Sequence, residues 1–179
     1  MIISLFLKYP KQYTALLEQL INTIQDIYDD HVTDPMEPIE LLFDVCCTND
    51  DDTIRLLDTV LKIYQEQMHC VYVLQQINLN PHSLFLFFLY RCGSTYDILI
   101  DLLIDSSSDF LTFFHRYIIY ACHDINQLYA SFDDLLVDLD TFQTIVANTL
   151  RVLDGGGFPY NTKPLMKRLL QLEEQLYSQ

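Results

Sequence analysis

Four constellations bring together residue types capable of chemistry. Asp138-Leu139-Asp140-Thr141 has the spacing of a carboxylate pair for phosphoryl transfer, in which the first acid attacks phosphorus and the second manages the leaving-group proton. That chemistry wants Thr or Val where Phe142 stands, at the end of a strand, whereas these residues fall inside a helical period. They read as solvated acids on a helix. Asp29 to Glu40 has the length and acidity of a calcium loop, but its third position is His31 and its turn position is Asp34, where glycine is needed. His69 with Cys70, and His115 with Cys122 and His123, offer zinc-ligand types without the paired spacing that brings four ligands together. Gly155 to Gly157 lacks the Gly-Lys-Ser/Thr end of a phosphate-binding loop and closes a helix instead of opening one. The serines stand in no nucleophile elbow, and no triad assembles. The expectation is therefore no catalytic residue, no cofactor and no metal.

Charge is more informative as a surface property. The 179 residues include 25 Asp and Glu against 10 Lys and Arg, a formal charge of −15, which repels phosphate backbones and anionic lipid. Direct nucleic-acid and membrane binding are disfavoured; the acidic residues read first as solvated loops and helix starts, and as a dock for a basic protein partner only second. No Lys or Arg occurs between Lys11 and Arg55, while Asp29, Asp30, Asp34, Glu37, Glu40 and Asp50 to Asp52 accumulate there. Lys163, Lys167 and Arg168 concentrate the opposite charge near the end. The five cysteines are odd in number and show no CxxC spacing, which fits a reducing compartment. Met1 to Leu7 is apolar but short and lacks a basic leader, so no signal peptide is expected. The greasiest run, Leu84 to Leu89, is interrupted by Arg91, Asp97 and Asp101, so no transmembrane helix is expected either.

The elements that must position these residues are helical. Half the chain is hydrophobic, with only four glycines and six prolines, a composition that folds. Leu16, Leu17, Leu20, Ile21, Ile24, Ile27 and Tyr28 recur at three-and-four spacing, predicting a helix from Tyr13 to about Asp29. A Pro-containing loop over 31–38 leads to a shorter helix from Ile39 to Cys47. Asn49 to Asp52 then supplies caps and acids for a helix reaching about Ile77. Next come a nearly all-apolar helix from Ser83 to Arg91 closed by Gly93, and a helix over Ser94 to Asp105 capped by Ser94 or Thr95. An aromatic helix from Phe110 through Tyr120 follows, and its ring content makes it the expected centre of the core. Ser131 with Asp134 predicts the cap of a long helix running to Leu153, with Gly155 as its stop, and Pro164 sits in the first turn of the last helix. The reading is an all-α chain, one helical domain over 1–179, with seven or eight amphipathic helices packed as a compact bundle or a helical repeat.

Two segments resemble a known family. Ser83 to Tyr117, with its core Tyr96 to Asp105 followed by Asp109-Phe110-Leu111-Thr112-Phe113-Phe114-His115-Arg116-Tyr117, is similar to a segment of Lines proteins that runs from a leucine- and aspartate-rich helix into an aromatic one. Gly157-Phe158-Pro159-Tyr160-Asn161, followed by Pro164-Leu165-Met166-Lys167-Arg168-Leu169-Leu170, resembles a carboxy-terminal signature of the same family. The resemblance covers about residues 80–174 and leaves 1–79 as generic helices. It implies a carboxy-terminal part or a shortened relative of longer chains, an armadillo-like scaffold without catalytic residues, and a role in developmental signalling and transcriptional regulation in nucleus and cytoplasm. Within the signature, Phe158 and Tyr160 flank Pro159, and Asn161 or Thr162 can cap the last helix, so Phe158, Pro159, Tyr160 and Asn161 read as a structural latch or as a protein-binding epitope. The competing functional expectation is a helical-bundle regulator, of viral or apoptotic type, that captures an amphipathic partner helix in a groove.

Overall fold

A computed structural model of the chain describes residues 37–66, 71, 74–75, 79–132 and 136–178. The predicted helix over 13–29, the calcium-like loop up to Met36, His69 and Cys70 lie outside the described residues. Among the described residues there are eight helices and no strand: α1 (Glu37–Cys46), α2 (Asp50–Glu66), α3 (Pro81–Arg91), α4 (Asp97–Ile104), α5 (Phe110–His123), α6 (Ile125–Ala130), α7 (Leu139–Asp154) and α8 (Lys163–Leu176). The all-α reading holds. None of these helices is long and apolar enough to cross a membrane.

The chain divides into two compact units between Leu84 and Phe85. In the first, α1 packs on α2. Helix α1 buries Ile39 and Phe43, and α2 buries Ile54, Leu57, Val60 and Leu61 at helical spacing. Each such side chain contributes about 1.5–3 kcal/mol by leaving water. The start of α2 is fixed by Asn49, whose Oδ1 accepts the Asp52 N–H at 2.9 Å, and Asp50 to Asp52 follow in the first turn, where the helix dipole favours carboxylates. Near the end of this unit the Tyr64 hydroxyl donates to the Leu79 carbonyl at 3.0 Å.

Helix α3 starts two residues before the expected Ser83. Asn80 is its cap, accepting the N–H groups of His82 and Ser83 at 2.9 Å each, and Pro81 occupies the first position, where a missing N–H costs nothing. Asn80 and Pro81 together therefore set the helix start. Its exit follows the expectation. The Ser94 N–H donates to the Leu89 carbonyl at 2.8 Å and the Gly93 N–H to that of Tyr90 at 3.0 Å, with Gly93 at φ +84°, which closes the helix by a Schellman turn.

The second unit is organised around α5. Phe85 of α3 stands 4.2 Å from Tyr117, centroid to centroid, and Phe110 stacks on Phe114 at 5.4 Å and 11°. Phe113 joins the same cluster, and all five rings are buried. Aromatic pairs of this kind add about 0.5–1.5 kcal/mol beyond the area they bury. Desolvation, and secondarily Tyr120, pushes the Tyr117 phenol well above its ordinary range. Helix α8 packs on both α5 and α7, and α4 touches α5 and α7. Leu165, Leu169, Leu172 and Leu176 form the buried stripe of α8. Between Phe85, Phe114, Phe142, Val146 and Leu169 only about 10 Å³ remains, at the lower limit for one water, so this core is closed.

Helix α1 starts at Glu37, two residues before the expected Ile39, and further boundaries differ from the sequence expectation. Helix α4 begins at Asp97, and neither Ser94 nor Thr95 caps it, because Ser94 is drawn into the left-handed region (φ +54°) by the turn that ends α3. A separate short helix, α6, follows α5 after the single residue Asp124. The long helix α7 is capped by Asp138, whose carboxylate accepts the Thr141 N–H at 2.7 Å; the Ser131 hydroxyl donates back to the Gln127 carbonyl of α6. At the other end Gly155 stays right-handed, and Gly156 and Gly157 take the positive φ values of +78° and +90° that turn the chain.

Candidate functional site

The second unit carries an open cleft of about 380 Å³ between the entrance to α4 and the first half of α7. Two local features build it. The Gly93–Ser94 turn delivers Ser94 to Asp97 to one wall, and the Asp138 cap starts α7 so that Asp140, Thr141, Thr144 and Asn148 share the facing wall at helical spacing. Buried Ile145 forms the floor. The lining carries two carboxylates, Asp97 and Asp140, together with hydroxyls and one carboxamide, and no Lys or Arg. Both acids lie in first helical turns. Both are exposed, and a carboxylate so placed can accept hydrogen bonds from a cationic group.

A second polar arrangement holds α8 in place. The last carbonyls of a helix have no partner within it. Here the Tyr129 hydroxyl of α6 donates to Gln175 O (3.3 Å) and Leu176 O (3.1 Å), and Gln143 Nε2 of α7 donates to Leu176 O at 2.8 Å. Gln175 Nε2 in turn donates to the Cys122 carbonyl at 3.3 Å. Burial raises the pKa of the Tyr129 phenol. Sequence reasoning missed Tyr129 and Gln143 because their partners lie 33 to 47 residues away.

The residues of the predicted latch lie in the link between α7 and α8. Phe158 and Tyr160 are half-buried and their rings sit 5.7 Å apart, while Pro159 and Asn161 are exposed. The Tyr160 hydroxyl is buried with no hydrogen-bond partner among the described residues, and burial raises its pKa. Asn161 Oδ1 accepts the Lys163 N–H at 3.1 Å, whereas Thr162, the capping residue by position, makes no side-chain cap.

The other candidates fall into structural places. Asp138 is the α7 cap and Asp140 an exposed first-turn acid, so the phosphoryl-transfer spacing coincides with a helix start. The Thr141 hydroxyl and N–H hold the Asp138 carboxyl below its ordinary range. His115 and Cys122 both belong to α5 with His123, and among the described residues no group of His, Cys, Asp or Glu is disposed to hold a metal. The Cys122 thiol faces the Arg168 carbonyl, and burial raises its pKa against the pull of Arg168.

A search of the curated proteins returns no significant match, and neither does a search of the solved structures. A family model does match: that of the Lines N-terminus, over residues 9–131. The match corrects the resemblance in its placement. It corresponds to the amino-terminal rather than the carboxy-terminal part of the family, takes in most of the stretch before Asn80 that periodicity left generic, and ends before Phe158 to Asn161. The segment from Asn80 to Ser131, with the Leu/Asp-rich helix and the aromatic helix, is common to both readings. With most of its length matched by that model, this all-helical chain belongs to the Lines family.

Proposed function

We propose that the chain is a non-enzymatic protein-interaction scaffold, acting in the signalling and gene regulation that its family suggests, in cytoplasm or nucleus, on an armadillo-like stack of helices. The observation that supports this reading is the cleft: two carboxylates and several hydroxyls converge on about 380 Å³ without a cation in the lining. Its partner is a protein that presents a basic segment. The net charge of −15 steers such a segment toward the chain, and the exposed carboxylates of Asp97 and Asp140 are acceptors for its Lys or Arg side chain.

The test is an amide-resolved NMR titration with short unstructured peptides that contain arginine, or citrulline in its place. Arginine peptides are expected to shift the amides of Ser94 to Asp97 and Asp140 to Asn148, with the effect lost in Asp97→Asn/Asp140→Asn. Equal shifts from the citrulline peptide, or shifts scattered over the acidic surface, refute the cleft as a basic-segment receptor.

A further inference from the structure

The outward face of α8 has an arrangement that its own helix does not explain. Lys163, Lys167, Leu170, Glu174 and Tyr177 recur at i, i+4, i+7, i+11 and i+14, on the side opposite the buried leucines, and all five are exposed. Leu170 is 47% and Tyr177 61% exposed, among the largest apolar side chains open to water. Met166 and Glu173 flank the stripe.

The charges are segregated in the unfavourable sense. The helix dipole favours acids in the first turn and bases in the last, yet the first turn has no acid and begins with Lys163, while Glu173 and Glu174 stand in the last turn with no base beside them. Lys163 and Lys167 are a like-charge i,i+4 pair. No carboxylate stands three or four residues from either lysine, and none of the four charges has an ionic partner among the described residues. Three of the ten Lys and Arg of a chain with charge −15 are nevertheless gathered on this one helix.

A second α8 laid antiparallel resolves each of these features. With Leu170 at the two-fold centre, Lys167 of one copy stands opposite Glu173 and Glu174 of the other, and Lys163 stands opposite the Tyr177 ring. Both dipoles are then opposed head to tail, and the pattern is self-complementary, as a two-fold interface requires. We propose that this face is a homodimerisation surface and that its occupant is the α8 of a second copy of the chain. With three cations beside two acids, this helix also lets two molecules of charge −15 meet with less repulsion than an all-acidic face would. A 14-residue helix is only about 21 Å long, so the contact falls below the roughly 1,000 Å² of stable interfaces. The dimer is weak and concentration-dependent. It involves no cleft residue, so it stands or falls separately from the function proposed above.

Analytical ultracentrifugation of the full chain over a wide concentration range tests it. The wild type is expected to show a reversible monomer–dimer equilibrium. Lys167→Glu and Glu173→Lys/Glu174→Lys are each expected to weaken it by about tenfold, since every changed contact occurs twice across the two-fold axis. Combining the two sets restores association, because opposite charges again face each other. Leu170→Asp abolishes it, with circular dichroism confirming that the helices persist. A strictly monomeric wild type, a dimer indifferent to the single reversals, or a combined variant that stays monomeric overturns the proposal.

Discussion

Removing the Tyr129 hydroxyl tests how α8 is held. Tyr129→Phe keeps the ring and deletes the one proton shared between the Gln175 and Leu176 carbonyls, 3.3 and 3.1 Å away. A shared proton is worth about one net hydrogen bond, ~0.5–1.5 kcal/mol, and the half-buried site places the loss near 1 kcal/mol. Leu176 O keeps its 2.8 Å bond from Gln143 Nε2 in that variant. Gln143→Ala alone is expected to cost a similar amount, with Leu176 O still held by Tyr129. Losing both leaves that carbonyl without either donor, so the double variant exceeds the sum by about 0.5 kcal/mol or more. Urea unfolding reads these as shifts in midpoint at constant slope, and the single variants lower Tm by about 2–4 °C. Alkali provides a second readout. Burial raises the folded pKa of Tyr129 above its ordinary 10.0, so the unfolded state ionises first; the contribution is complete below about pH 10 and is lost as pH rises through the folded value. Tyr129→Phe removes that part of the alkaline limb. Single variants that unfold with the wild-type midpoint, or strictly additive losses, would refute the clamp.

Three further outcomes follow from the packing and the caps. Leu169→Ala, at the fully buried centre of the α8 stripe, is expected to cost about 2–5 kcal/mol in chemical denaturation because the α5–α7–α8 core has almost no room to collapse into the space. Gly93→Ala is expected to cost about 1–2 kcal/mol, all of it backbone strain at φ +84°, since an added Cβ meets nothing within 4 Å; Gly93→Asn should cost less in the same assay. The Asp138 carboxyl is held below its ordinary 3.8 by Thr141, so its contribution is complete above about pH 3.8 and disappears as pH falls through the lower folded value; Asp138→Asn should flatten the acid limb of a Tm–pH profile while leaving neutral pH little changed.

How much of this was legible in the sequence depends on the range of the interactions. The 3.6-residue period located α1, α2, α4, α5, α7 and α8 because each buries one stripe, as Leu165 to Leu176 do in α8, whereas α3 was legible from its apolar run, Leu84 to Leu89 all being buried. The aromatic content of Phe110 to Tyr117 identified the core for the same reason. Boundaries went astray where two local signals compete. Ser131 and Asp134 imitate a capping box, but Asp138 with Thr141 three residues on forms the cap that starts α7. The single break at Asp124 was too short to announce α6. The cleft was not legible, since Ser94 to Asp97 and Asp140 to Asn148 meet only after α4 packs on α7. Nor was the clamp on α8, which joins Tyr129 to a carbonyl 47 residues distant. The family was recognisable from Tyr96 to Tyr117, whereas its placement was not, because the stretch before Asn80 offers periodicity without distinctive residues.

The central claim is that an acid-lined cleft receives a protein partner. Its most direct test is quantitative affinity capture from nuclear and cytosolic extracts, comparing the intact chain with folded Asp97→Asn/Asp140→Asn and Phe158→Ala/Tyr160→Ala variants. The intact chain is expected to enrich a specific protein with a basic segment, with this enrichment lost in the cleft pair and retained in the Phe158/Tyr160 pair. Capture that is equal for the intact chain and the cleft variant would contradict the account.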